Sequence, residues 1–76
     1  MEEDDGDRKL RLMGEKLRRL RLEKGYGSYD FFAWEHQIPR MQYLKMEQGK
    51  NHTMKSLFRV LKALDITPEE FFKDIK

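Results

Sequence analysis

Between positions 40 and 45 the run Arg-Met-Gln-Tyr-Leu-Lys spaces four side chains for one face of a helix. With Ile38, Tyr43, Met46 and Glu47 turned inward, the helical period leaves Arg40, Met41, Leu44 and Lys45 outward. The guanidinium fork of Arg40 matches the O6 and N7 acceptors of guanine, a contact that discriminates between bases by about 1–3 kcal/mol. Met41 can pack on a thymine methyl and Lys45 can reach a base or a phosphate, whereas Leu44 has no polar reading ability. Packing against protein is an equal alternative for Met41 and Leu44. This is the chemistry of recognising duplex nucleic acid.

Catalysis finds little support. His36 and His52 lack partners at metal-ligand spacing, and His36 suits packing within its own helix. There is no glycine-rich phosphate loop, and the carboxylates are scattered over charged segments. The chain has no cysteine, which excludes a disulfide framework and a thiolate metal site. No catalytic residue, metal or cofactor is expected.

The segments that must hold this face are legible from periodicity and punctuation. Leu10, Met13, Leu17 and Leu20 recur at three- and four-residue steps, which predicts a first helix over about 8–24, stopped by Gly25. Ser28 reads as an N-cap, with Asp30 in the first turn of a second helix that buries Tyr29 partly, then Phe32, Ala33 and His36. Ile38-Pro39 marks a tight turn, with Pro39 suited to the first position of a third helix that ends at Gln48-Gly49. Thr53 caps a fourth helix whose inner face is Leu57, Val60, Leu61 and Leu64, with Met54 at its start. Thr67-Pro68-Glu69-Glu70 opens a short fifth helix with a capping box, and Phe71, Phe72 and Ile75 supply apolar contacts. No strand pattern or repeat appears, so the prediction is a compact all-α domain of five helices. Helices two and three, joined by a tight turn, can set the later helix into a DNA major groove.

Charge agrees with that direction. The 76 residues carry a net +2, but residues 1–7 hold five acids and no base, leaving 8–76 with sixteen bases against nine acids, or +7. A basic body suits a polyanionic partner. Residues 1–7, polar and acidic, are expected to be a disordered tail ahead of a domain over 8–76. No apolar run approaches membrane-spanning length and the N-terminus is unlike a signal peptide, so a soluble cytoplasmic protein without membrane partners is expected.

From about Leu12 to Phe72 the chain resembles the Cro and lambda-repressor-like (XRE-like) helix-turn-helix family. The residues carrying the resemblance are Leu17, Leu20, Arg21, Gly25, Ser28, Phe32, Ala33, Ile38, Tyr43, Met46, Glu47, Gly49, Leu57, Leu61, Ala63 and Leu64. The resemblance implies a transcriptional regulator that binds double-stranded DNA, with the third helix in the major groove and a symmetric homodimer on a two-fold site. It also implies an ion pair between Arg21 and Glu47. Arg40 falls at the start of the third helix, where family members reach base edges. Tyr29 stands where the family commonly has a phosphate-contacting glutamine, with core packing the equal alternative. Lys50 and Asn51 resemble the family's second phosphate clamp, and Gln42 is a further candidate on the same rim.

The chain also departs from the family pattern. Gln37 replaces the usual turn glycine, where a left-handed backbone would cost roughly 1 kcal/mol. Pro39 replaces the usual Ser or Thr cap, Tyr26-Gly27 adds a residue, and the loop after Gly49 lacks Asn-Pro. Phe31 and Trp34 lie one turn apart on a face the second helix does not need for the core. They either pack on the first helix through Leu10 or Leu12 or form a dimer or partner surface. The competing function is accordingly a protein-interaction module on the same scaffold, binding a partner toxin or polymerase.

Overall fold

A computed structural model describes residues 2–76. Its five helices are α1 (Asp5–Glu23), α2 (Tyr29–Glu35), α3 (Arg40–Glu47), α4 (Met54–Ala63) and α5 (Pro68–Phe72), with no strand among the described residues. This is the compact all-α, five-helix architecture that the resemblance to lambda-repressor-like domains implies. None of these helices is long and apolar enough to cross a membrane.

α1 starts three residues before the expected Arg8, because the acids that read as a solvated tail are helix-start groups. The Asp4 carboxylate accepts the Asp7 N–H at 2.7 Å, and Asp5 and Asp7 lie in the first turn, where the helix dipole favours negative charge. Asp5 then pairs with Arg8 and Lys9, both at 3.1 Å, and Glu3 with Arg11 at 3.2 Å. Met1, part of the expected disordered segment, lies outside the described residues.

Four helix ends share one device. After α1, α2, α3 and α4, a residue with positive φ (Gly25, Gln37, Gly49 and Asp65) lets two consecutive N–H groups turn back onto the last carbonyls. At the second of these, Gln37 N–H donates to Trp34 O and Ile38 N–H to Ala33 O. Gln37 adopts φ +57°, the left-handed turn for which glycine is usual. Pro39 is not the first helical residue. Its ψ of 124° is extended and its carbonyl accepts the Tyr43 N–H, so it caps α3 without a side-chain bond, and Arg40 opens the helix. At α5 the Thr67 hydroxyl accepts the Glu70 N–H and donates to the Glu70 carboxylate, both at 3.1 Å, so the box closes through the hydroxyl.

The core runs through all five helices: Leu17 of α1, Phe32 and Ala33 of α2, Tyr43 and Met46 of α3, Leu57, Val60 and Leu61 of α4, and Phe71 of α5. Met54, at the start of α4 as expected, is half exposed in the first turn, before the helix reaches the core. α1 packs chiefly on α3. Gly14 allows that approach: a Cβ there would meet the carbonyl oxygens of Glu47 and Met46 at 2.5 and 2.7 Å. Lys16, 6 % exposed, closes the far end by donating to Phe71 O at 2.6 Å and Glu70 O at 3.0 Å, with Asp74 at 3.3 Å. Its ammonium therefore satisfies carbonyls at the C-terminal end of α5.

Candidate nucleic-acid interface

The interface is built outward from a buried ion pair. Arg21 of α1 meets Glu47 of α3 through Nε–Oε2 at 2.7 Å and Nη2–Oε1 at 3.1 Å, while Nη1 donates to Tyr26 O at 2.7 Å. Both side chains are nearly dry, 5 % and 6 % exposed. The hydrogen bonds to Glu47 hold the guanidinium pKa above its usual value, against the opposing effect of burial. A bidentate fork fixes orientation as well as distance, so with Tyr43 and Met46 in the core it holds α3 at one angle against α1. Beside it the buried Tyr43 hydroxyl has no hydrogen-bond partner among the described residues, and burial above all pushes its pKa up.

Fixing α3 this way buries Tyr43 and Met46 and leaves Arg40, Met41 and Lys45 exposed, with Leu44 intermediate. Arg40 stands at the first position of the helix, beside Asp30 of α2, with Nε to Oδ1 at 3.6 Å. The phosphate candidates divide. Lys50 and Asn51 are exposed in the loop after α3, where Asn51 also accepts the His52 N–H at 2.9 Å. Tyr29 is half-buried against the core. Gln42 is exposed, but its amide donates to the Ser56 hydroxyl of α4, which makes it a strut between the two helices.

Phe31 and Trp34 do not pack on α1. Trp34 is 77 % exposed and Phe31 47 %, their rings 6.1 Å apart, with Phe31 edge-on to Tyr26. The cause is helical phase: α2 turns Phe32, Ala33 and His36 inward, and the half-buried His36 ring lies 4.7 Å from that of Phe32. Of the two partners expected on α1, Leu10 packs on the main core and Leu12 lines a groove with Lys16, Asp74 and Ile75 instead.

Control protein C.MunI of Mycoplasma sp is 38 % identical over 71 residues, covering 92 % of this chain and 95 % of that protein. The chain belongs to the control-protein group of the XRE/Cro-like helix-turn-helix family. Control proteins of this family are DNA-binding transcriptional regulators and not enzymes. No family model matches the chain, and no solved structure does.

Several contributors to the interface carry no plain sequence signal. Ser56 reads as one more polar residue of a helix, and Asp30 as a helix-start acid rather than a neighbour of Arg40. Gly14 is different. An isolated glycine inside a strongly periodic helix usually has a packing reason, and the glycine was visible.

Proposed function

We propose that this control protein reads its operator with Arg40, Met41, Leu44 and Lys45 of α3 in the major groove. Lys50 and Asn51, exposed after α3, grip the flanking phosphates, while Tyr29 and Gln42 on the same rim serve chiefly as a packing residue and a strut. The observation that carries the reading is the exposed outer face of α3 on a helix tied to α1 by the buried Arg21–Glu47 fork. The genes it governs are those of a restriction-modification system, the setting of controller proteins, and it works inside the cell. It acts as a homodimer on a two-fold site, as helix-turn-helix regulators do.

Binding-site selection at two salt concentrations tests the assignment with the wild type, Arg40→Ala and Lys50→Ala. Arg40→Ala should relax preference at one base position per half-site, by about 1–3 kcal/mol per contact. Lys50→Ala should weaken all sequences alike and reduce the slope of log affinity against log salt by about one. A uniform loss with an unchanged motif would make Arg40 a phosphate contact and move reading to Met41 and Lys45.

The exposed Phe31–Trp34 pair favours a second surface, for another copy of the chain or a protein partner. If it joins two copies, Trp34→Ala shifts the solution mass to monomer and weakens DNA binding together. An unchanged mass with intact DNA binding leaves the pair to a protein partner.

A further inference from the structure

We propose that Asp30 is the positioning residue for base reading, holding the Arg40 guanidinium by its Nε side so that both terminal nitrogens face guanine. The proposal rests on the reading of Arg40 as a base contact. Asp30 lies in the first turn of α2 and Arg40 at the first position of α3, so the turn between the helices brings together two residues ten apart in sequence. The carboxylate oxygen faces Nε at 3.6 Å, and Arg40 forms no other ion pair among the described residues. Both side chains remain in solvent, 63 % and 51 % exposed.

That geometry divides the donors of the fork. Guanine presents two acceptors on one edge, which an arginine meets end-on with two parallel N–H groups. An acid on the Nε side takes no donor needed for that contact. It narrows the rotamers of a long side chain before DNA arrives, which lowers the ordering cost of the bound state. It also places a negative charge near the phosphate backbone, which disfavours any duplex where Arg40 finds no guanine to offset the repulsion. Asp30 thus weakens non-specific binding while sharpening specific binding, two effects that a purely structural acid would not combine.

The test measures affinity of the full chain for three duplexes. These are the selected operator, the same operator with the Arg40-dependent guanine pair replaced by an adenine pair, and an unrelated sequence. Asp30→Asn should reduce discrimination between the first two by about two- to five-fold, the range of an exposed ion pair, and should raise affinity for the unrelated duplex. Asp30→Glu should retain part of the discrimination. In an Arg40→Ala background, Asp30→Asn should change discrimination no further, and the circular-dichroism melt should show each variant folded. Equal strengthening on all three duplexes would reduce Asp30 to a repulsive charge and overturn the proposal. So would an equal loss of discrimination with and without Arg40. If Arg40→Ala alone leaves the selected motif unchanged, the reading of Arg40 fails first, and that failure is distinguishable because Asp30 is then intact.

Discussion

The chain joins helices twice with the same chemical pair, an arginine and a carboxylate, and the two junctions do opposite things. Between α1 and α3, Arg21 and Glu47 meet at 2.7 and 3.1 Å with about one-twentieth of each side chain in water. Between α2 and α3, Arg40 and Asp30 stand 3.6 Å apart with more than half of each side chain wet. Desolvation makes the first pair costly to form and far more costly to break, because either partner alone is a buried charge. Water makes the second pair cheap to exchange. The buried arginine is committed to the fold, and the exposed one is available to a ligand. A helix that must stay in place and still present its leading side chain to a ligand needs one of each.

The largest expected effect comes from breaking the buried pair. Glu47→Ala strands the Arg21 guanidinium and should cost about 3–5 kcal/mol, measured by urea denaturation. That is a large share of the stability of any single small domain. Arg21→Met combined with Glu47→Leu should recover much of the loss, since the apolar pair owes no desolvation. A loss below about 1 kcal/mol for Glu47→Ala would mean that the buried pair behaves like an exposed one, and the contrast would fail.

The next effect sharpens the same junction without touching charge. Gly14→Ala gains about 1 kcal/mol in helix propensity. Its methyl group, however, must displace the Met46 and Glu47 carbonyls, backbone atoms that cannot rotate away. Overpacking of this kind costs about 1–3 kcal/mol, so a net loss near 1 kcal/mol is expected in a thermal melt. DNA binding should fall further than stability does, because α3 carries the reading residues and must shift. A stabilised Gly14→Ala would show α1 and α3 free to part at no cost.

What was legible in the sequence follows the same division. Helix order, the inward face of α3 and the Ser28, Thr53 and Thr67 caps rest on local periodicity and punctuation, and all appear in the structure. The family resemblance pointed to Arg21 and Glu47, which sit 26 residues apart and which local pattern alone would not pair. The start of α1 is harder to place, because a run of acids reads as a solvated tail until one of them caps a helix and others pair with bases a turn later. Lys16 was invisible for a related reason. A lysine on a basic helix looks solvated, and only the arrival of α5, more than fifty residues later, supplies the carbonyls that bury it. The Arg40–Asp30 juxtaposition depends on how the Gln37 turn aims two helix starts, which no spacing rule gives.

The smallest expected effect is on the exposed pair. Arg40→Ala should leave the unfolding free energy within about 0.5 kcal/mol, as surface substitutions do. Asp30→Ala should cost slightly more, about 0.3–1 kcal/mol, because it also removes a negative charge from the first turn of α2. That second loss does not involve Arg40, so the single variants cannot be compared directly. A double-mutant cycle removes it, and the coupling energy between the two positions should stay below about 1 kcal/mol in moderate salt. The outcome has a functional edge. Coupling of 2 kcal/mol or more would mean that the two side chains are fixed to each other as firmly as a structural pair, leaving the Arg40 fork little freedom to meet a base. Arg40 would then belong with Arg21 as part of the scaffold, and the reading of bases would fall to Met41 and Lys45.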